Sequence, residues 1–224
     1  MNGNVRIMLC QGLNTQSAPR LLYILLLISV ASVRTGLSCG NQSCGRSLNS
    51  SIKLTRLMHA QSVKLLKSYK SSQGDSAEFI CHVQIDNVPE ADISELDVSK
   101  RMLSIYARLK EFSPHFKRVL EQQTDLQPHA TPLLTDLTST QERLHHISHR
   151  VNCLLQILLP NTPIPEPPEG PTGVPPSQNT FQQKAYGCVV LTRFKDFLSQ
   201  TMKELRNRKG KLCKRRTLKS QRNL

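Results

Sequence analysis

The sequence contains no tryptophan, and its other aromatic residues are few: six phenylalanines and four tyrosines in 224 residues. A core with so little aromatic material must consist mainly of Leu, Ile and Val, which are the usual filling of packed helices. This composition disfavours an aromatic-rich β-sandwich. Hydrophobic residues make up 38% of the chain, which excludes collagen-like and wholly disordered proteins and is enough for one sizeable core.

Catalytic motifs are also missing. The chain has no G-x-S-x-G sequence, no Gly-rich phosphate-binding loop and no Cys-His signature of a known type. His145 and His149 lie four residues apart, as in the zinc-binding H-E-x-x-H motif, but His146 replaces the glutamate that would act as general base. Histidines on a solvated helix face are the simpler interpretation. We therefore expect no enzymatic activity, no cofactor and no metal site.

Acidic residues are scarce at the two ends of the chain, where the positive charge is concentrated. Of the formal net charge of +14, residues 203–222 supply ten Lys or Arg against Glu204 alone, and residues 1–38 supply three arginines. Residues 39–202 therefore keep only two net positive charges, so nucleic-acid binding by this part of the chain loses its main support. The basic tail is consistent with a solvated extension, a binding strip for heparin-like glycans, or a propeptide cleaved at residues 214–216.

The chain has a single long apolar run near its beginning. Residues 21–33 are uncharged, follow Arg20 and end in small residues, which is the pattern of a signal peptide. A membrane-spanning helix needs about 20 apolar residues, and this run stops at Arg34. We therefore predict a signal peptide over residues 1–38, cleaved between about residues 31 and 38, and a secreted, extracellular protein.

Cleavage of this segment removes Cys10 and leaves six cysteines. An even number of cysteines in a secreted chain indicates disulfide bonds, but the sequence alone leaves their pairing open. Asn41 and Asn49 each begin an N-x-S sequence and are expected N-glycosylation sites. The six remaining cysteines are Cys39, Cys44, Cys81, Cys153, Cys188 and Cys213.

Hydrophobic residues recur every three or four positions in four segments, which predicts four amphipathic helices. The second segment contains Pro114, which should kink or divide the helix, and Thr131 should cap the third helix with Pro132 in its first turn. No alternating pattern or two-residue hairpin signal indicates a β-strand. The predicted fold class is therefore all-α, with helices over residues 47–71, 97–123, 131–158 and 179–206.

The lengths of the connections predict how these helices are arranged. Residues 124–130 form a short connection, so the second and third helices should be antiparallel. Residues 72–96 and 160–178 are long enough to cross the whole bundle, and a separate last helix could not bury its apolar stripe, which disfavours a spacer between domains. We predict an up-up-down-down, long-chain four-helix bundle over residues 39–206 with two long crossover loops and disulfide cross-links. A disordered basic tail should follow over residues 207–224.

Phe181, Lys184, Gly187 and Cys188 lie at the start of the last predicted helix, directly after a proline-rich segment. This F-x-x-K sequence, followed by G-C, closely resembles the start of the last helix in the leukemia inhibitory factor and oncostatin M branch of the interleukin-6 type helical cytokines. The cysteines at positions 44, 81 and 153 also fall where that family has cysteines. The resemblance covers residues 39 to about 206.

The resemblance implies a secreted cytokine that brings cell-surface receptor chains together and thereby triggers kinase-linked signalling. The implied partners of the monomer are a receptor of the leukemia inhibitory factor receptor or oncostatin M receptor class and the shared signal-transducing glycoprotein chain. Members of this branch contact the first of these receptors through the Phe and Lys of the motif, and the resemblance carries this role over to Phe181 and Lys184. An aromatic anchor beside a cation also suits an interface hot spot. A second receptor surface would lie on exposed faces of the first and third helices. A secreted glycan-binding or enzymatic helical protein is the alternative.

The same resemblance implies two disulfide bonds, one between Cys44 and Cys153 and one between Cys81 and Cys188. The second bond would tie the first long connection to the last helix and hold it in place. Gln156 occupies the position of a further family cysteine, so Cys39 lacks its family partner. We therefore expect Cys39 to pair with Cys213.

Overall fold

The computed structural model describes residues 39–40, 42–74, 77–93, 97–164, 179–207 and 209–213. The predicted signal peptide, the expected glycosylation site Asn41, most of the proline-rich segment and the chain after Cys213 lie outside these residues. The chain divides after Gly40 into two units, and all of the helices below belong to the second unit. None of the described helices is long and apolar enough to cross a membrane.

The fold is all-α, as predicted, and no strand occurs among the described residues. The described part of the chain forms four long helices, each within three residues of its predicted bounds, and two short helices. One short helix lies in the first long connection, and the other follows the last long helix. In chain order the helices are α1 Cys44–Gln73, α2 Ala77–Ile80, α3 Val98–Leu126, α4 Thr131–Leu158, α5 Thr180–Asn207 and α6 Lys209–Leu212.

Polar side chains at two of the helix starts explain where those helices begin. The Asp97 carboxylate accepts hydrogen bonds from the main-chain N–H groups of Ser99 and Lys100 at the start of α3. At the start of α5, the Asn179 side chain accepts from the Gln182 N–H, and the Gln182 side chain accepts from the Asn179 N–H, at 2.9 and 3.0 Å. This reciprocal pair is a capping box, which satisfies two N–H groups that the helix itself leaves unpaired.

Pro114 does not divide α3, which runs without a break from Val98 to Leu126. The expectation of a divided helix is therefore wrong. A proline inside a helix removes one main-chain hydrogen bond, but the residues on both sides of Pro114 hold the helix in place because Phe112, His115 and Phe116 are fully buried. Thr131 is the first residue of α4 and Ala130 occupies the cap position, one residue earlier than predicted.

Cross-links between the helices show their relative directions. The Gln73 amide at the end of α1 donates to the Gln123 side chain near the end of α3 at 3.0 Å, so α1 and α3 run the same way. Lys64, late in α1, lies 3.6 Å from Asp136, early in α4, so α4 runs in the opposite direction.

The direction of α5 follows from its contacts with α3. Arg101 at the start of α3 forms an ion pair with Glu204 near the end of α5 at 3.0 Å, so these two helices are antiparallel. Helices α1 and α3 each pack against α4 and α5. The result is the predicted up-up-down-down four-helix bundle, in which two parallel helices alternate around the core with two helices of opposite direction.

The few aromatic residues of the core are concentrated between α3 and α5. The rings of Phe116 and Phe194 meet edge to face with 4.7 Å between their centroids, and those of Phe112 and Phe194 do so at 5.1 Å. Phe197 packs beside Phe112 at 5.5 Å. Leu, Ile and Val from all four long helices fill the rest of the core, as the composition predicts.

The described part of the first long connection, residues 77–93, is fastened to the bundle. Val88 and Ile93 bury their side chains in the core. The Arg193 guanidinium on α5 donates to the Val88 carbonyl oxygen at 2.7 Å and pairs with the Glu90 carboxylate at 3.0 Å. The connection therefore crosses the bundle against α5.

The folded part of the chain continues past the predicted boundary at residue 206. Helix α5 ends at Asn207, and α6 carries Leu212 into the core, where it is 9% exposed. The expectation that the disordered tail starts at residue 207 is therefore wrong for the residues up to Cys213. The tail after Cys213 lies outside the described residues.

The disulfide bonds correct two of the expected pairings. Cys44 is bonded to Cys213, with 5.7 Å between the Cα atoms, so the expected bonds from Cys44 to Cys153 and from Cys39 to Cys213 are wrong. Helices α1 and α5 are antiparallel, so α5 ends near the beginning of α1. Helix α6 then brings Cys213 to Cys44 at the first position of α1. Cys153 also takes part in a disulfide bond. The structure contains a bond between Cys81 and Cys188, with 5.0 Å between their Cα atoms.

Candidate functional site

Phe181 and Lys184 lie at the end of the bundle where α5 begins. Phe181 occupies the first turn of α5 and leaves 47% of its surface exposed, and Lys184 is partly exposed. Residues three apart are neighbours on a helix surface, so Phe181 and Lys184 occupy neighbouring positions on the surface of α5. The structure therefore places both residues where a binding partner can reach them.

Phe79 is a third residue of this surface, and the sequence analysis missed it. Its side chain on α2 is 72% exposed, and its ring centroid lies 6.5 Å from that of Phe181. Among the described residues, the large exposed hydrophobic side chains are Leu57, Val63, Phe79 and Phe181, so half of them meet at this one place. We call Phe79, Phe181 and Lys184 the aromatic site.

Helix α2 is held so that Phe79 must face outwards. Ala77 and Ile80 bury their side chains against the bundle, which leaves Phe79 on the opposite side of this single turn. The residue after α2, Cys81, is bonded to Cys188 of α5. The disulfide therefore joins the two helices that carry the two exposed rings. A signal for Phe79 exists in the sequence, because an apolar residue stands two positions before the cysteine that was expected to bond to α5.

A buried hydrogen-bond network lies directly behind Lys184. The Tyr69 hydroxyl, at the end of α1, donates to the main-chain carbonyl oxygen of Lys184 at 2.9 Å. The Gln123 side-chain amide on α3 donates to the Tyr69 hydroxyl at 3.2 Å. Burial raises the pKa of Tyr69 well above its ordinary value, so its phenol keeps the proton that it donates. Three helices are thus joined at the first turns of α5.

Gly187 allows the Tyr69 ring to approach α5 this closely. A Cβ atom at Gly187 would lie 2.2 Å from the Tyr69 hydroxyl oxygen and 2.7 Å from its ring carbon Cζ. Real Cβ atoms do not come so near to another heavy atom, so only glycine fits at this position without a shift of the ring. This close approach gives a physical reason for the glycine in the G-C sequence.

Charged groups border the aromatic site on the side of α1. Lys70 of α1 forms an ion pair with Glu78 of α2. The hydrogen bond from Lys70 holds the pKa of the exposed Glu78 carboxyl below its ordinary value. The pair joins α2 to the end of α1. Lys184 is the cation nearest to Phe181 in the sequence.

A second buried pair supports α5 one turn below the site. His115 Nδ1 of α3 lies 2.6 Å from the Tyr186 hydroxyl, and both side chains are inaccessible to solvent. Burial lowers the pKa of His115 to about 4 and raises the pKa of Tyr186 above its ordinary value. Both groups are therefore neutral at physiological pH, and they share one hydrogen bond.

The other residues singled out in the sequence lie elsewhere. His145 and His146 are exposed on α4, and His149 is partly buried, with Nε2 3.4 Å from the Cys153 sulfur. Cys153 is disulfide-bonded, so its sulfur is not a free thiolate ligand. Asn49 is exposed on α1, as an N-glycosylation site requires.

Comparison with known proteins agrees with the helical architecture. A family model described as ciliary neurotrophic factor matches residues 41–219 of the chain. The matched part includes all four long helices, the disulfide-bonded Cys213 and the three residues of the aromatic site. No curated protein matches the chain.

Proposed function

Because this chain belongs to the ciliary neurotrophic factor family, whose members are secreted helical cytokines of the interleukin-6 type, we propose that it binds a receptor of the leukemia inhibitory factor receptor or oncostatin M receptor class through its aromatic site. The same molecule binds the shared signal-transducing glycoprotein chain through exposed faces of α1 and α4. Signalling follows from the juxtaposition of the two receptor chains, and its chemistry belongs to receptor-associated kinases.

The observation that carries this proposal is the pair of exposed rings beside a cation. The ring centroids of Phe79 and Phe181 lie 6.5 Å apart, and the two rings form one exposed aromatic patch. Aromatic side chains that enter a partner's pocket are the commonest source of binding free energy in protein interfaces, and a neighbouring cation adds charge complementarity. Lys184 supplies that cation.

The aromatic site is also rigid before it binds. The disulfide from Cys81 to Cys188 fixes α2 on α5, and the hydrogen bond from Tyr69 to the Lys184 carbonyl fixes the first turns of α5 on α1. A preorganised surface loses little conformational entropy on association. The bundle thus acts as a spacer that holds the receptor-binding end in one orientation relative to the faces of α1 and α4.

The proposal is tested with the mature chain and immobilised extracellular domains of the two receptor classes. We expect Phe181→Ala to weaken binding by at least thirtyfold, which corresponds to a hot spot of about 2 kcal/mol. Lys184→Ala should weaken it by roughly five- to tenfold. Leu57→Ala removes a similarly exposed apolar side chain from α1 and should leave binding to this receptor unchanged.

Circular dichroism of each variant must retain the helical spectrum of the wild type for the comparison to be valid. A wild-type chain with intact disulfides that binds neither receptor class would contradict the proposed function. Equal losses for Phe181→Ala and Leu57→Ala would contradict the assignment of the site to the start of α5.

A further inference from the structure

Helix α1 has an unusual charge. Its thirty residues include six Lys or Arg and no Asp or Glu. The small net charge of residues 39–202 conceals this, because the acidic residues of that part all lie outside α1. The six cations are Arg46, Lys53, Arg56, Lys64, Lys67 and Lys70.

Five of these cations share one face of the helix. Each residue of an α-helix is rotated by about 100° from the one before it. With this rotation, the five cations between residues 46 and 67 all lie within a sector of about 80° around the helix axis. All five side chains are exposed. With a rise of about 1.5 Å per residue they extend over about 32 Å. We call Arg46, Lys53, Arg56, Lys64 and Lys67 the basic face.

Neighbouring acidic groups leave most of this charge uncompensated. Asp136 on α4 lies 3.6 Å from the Lys64 ammonium, but the Lys64 side chain is 77% exposed and this pair is weak in water. Glu78 pairs with Lys70, which is outside the basic face. Among the described residues, the other four cations of the basic face have no ion pair.

A groove adjoins one end of the basic face. Lys64 and Lys67 line it together with three serines of α1 and residues from the start of α4, and its volume is about 450 Å³. Ammonium groups and serine hydroxyls are donors that suit the oxygen atoms of a sulfate group. The groove therefore offers both charge and hydrogen bonds to an anionic ligand.

We propose that the basic face binds a sulfated glycosaminoglycan. A linear polymer with an anionic group at regular intervals matches a straight row of cations better than a compact ligand does, and a secreted protein meets such polymers at the cell surface. None of the exposed residues of α1 is aromatic, whereas proteins that bind single-stranded nucleic acids stack the bases on aromatic side chains. Charge complementarity along about 32 Å thus favours a sulfated polysaccharide.

This site is distinct from the basic tail considered in the sequence analysis. Residues 214–222 lie outside the described part of the chain, and the basic face is complete without them. The disulfide from Cys44 to Cys213 does bring the described end of the chain to the first residue of α1. The test must therefore separate the contribution of the basic face from that of the tail.

The experiment measures binding to immobilised heparin over a range of NaCl concentrations. Each protein is measured with the natural Asn49 and with Asn49→Gln, because Asn49 lies between Arg46 and Lys53 on α1 and a glycan there would cover that end of the basic face. The test variant is Lys53→Gln/Lys67→Gln. The matched control, Lys100→Gln/Lys117→Gln, removes the same charge from exposed positions on α3.

We expect the test variant to bind heparin at least tenfold more weakly, and the control to change by less than about threefold. The slope of log Kd against log[NaCl] should fall by one to two units in the test variant only, since each lost contact with a polyanion releases about one counterion fewer. The same loss should appear in a chain that ends at Cys213. Binding to the receptor through Phe181 should not change, which shows that the variant is folded.

Three outcomes would overturn the inference. Equal losses in the test and control variants would show that only the net charge matters. Loss of all heparin binding on removal of the residues after Cys213 would assign the glycan to the tail. Binding of a single-stranded DNA oligonucleotide with the same affinity and the same dependence on Lys53 and Lys67 would show a general polyanion surface rather than a glycan site.

Discussion

The Tyr69 hydroxyl donates a hydrogen bond to the carbonyl oxygen of Lys184 at 2.9 Å, across a separation of 115 residues. This contact holds the turn of α5 that carries Phe181 and Lys184 against the end of α1. Because Tyr69 also accepts a hydrogen bond from Gln123, the buried hydroxyl is satisfied as donor and as acceptor. The end of the bundle that carries the aromatic site thus depends on a buried tyrosine of α1.

Gly187→Ala should destabilise the protein by about 1 to 3 kcal/mol, because the added Cβ would overlap the Tyr69 hydroxyl. Urea unfolding followed by circular dichroism measures the change. Gly45→Ala is the matched control, since Gly45 also lies in a helix and has no atom within 4 Å of the added Cβ. A free energy of unfolding for Gly187→Ala within about 0.5 kcal/mol of the wild type would show that the ring moves aside without cost.

Phe79→Ala should weaken receptor binding by roughly five- to thirtyfold, as expected for the loss of about 1 to 2 kcal/mol at an interface. Its stability should change by no more than about 0.5 kcal/mol, because the ring is mostly exposed. Surface plasmon resonance and urea unfolding separate the two effects. Val63→Ala, at another exposed apolar residue, is the control. Unaltered affinity for Phe79→Ala would restrict the site to α5.

Loss of the disulfide in Cys81→Ser/Cys188→Ser should reduce receptor affinity to the level of Phe79→Ala, because α2 would no longer be fixed to α5. Stability should fall by about 2 to 4 kcal/mol. The comparison is Cys44→Ser/Cys213→Ser, which opens a disulfide at the other end of the bundle and should lower stability without lowering receptor affinity. The role of the Cys81 to Cys188 bond in positioning Phe79 would be disproved by equal receptor affinities of the two variants.

Acidification should destabilise the bundle through His115. Its pKa of about 4 in the folded state lies below the ordinary value near 6.5, so the unfolded chain takes up a proton first as the pH falls. The contribution of the neutral His115 to the free energy of unfolding is fully present above about pH 6.5. It declines by roughly 2 to 3 kcal/mol as the pH falls to 4.

His115→Gln removes this titration, so the difference in unfolding free energy between wild type and variant should narrow over the same pH range. Thermal or urea unfolding at several pH values measures it. Carboxyl groups and His149, whose pKa is also lowered, titrate in both proteins. Their contributions to the pH dependence therefore cancel when the unfolding free energy of the variant is subtracted from that of the wild type. A difference that stays constant from pH 6.5 to 4 would contradict the assignment to His115.

The four long helices could be predicted because each buries a continuous apolar stripe, and that stripe repeats in the sequence with the period of a helix. The four-residue helix α2 is too short to show such a period, so the helical pattern does not indicate that Phe79 faces outwards. The contact between Tyr69 and Gly187 depends on how α1 packs against α5, and nothing local to either residue indicates it.

The disulfide pairing could not be settled from the sequence for a related reason. Cys213 reaches Cys44 only because α6 continues the chain beyond α5 and buries Leu212. The basic residues after residue 206 predict a disordered tail, which places Cys213 outside the fold. In the same way, the sum of charges over residues 39–202 hid the basic face, because a net charge contains no information about which helix carries it.

The bond between Cys44 and Cys213 holds the first residue of α1 and the last described residue of the chain at the same end of the bundle. Phe181 lies at the opposite end, and the 28 residues of α5 between them amount to about 42 Å. A surface tether or a fused protein joined to the chain after Cys213, whose sulfur is held in the disulfide, therefore stands well away from the aromatic site. The protein is suited to oriented immobilisation and to fusions in which the aromatic site remains accessible.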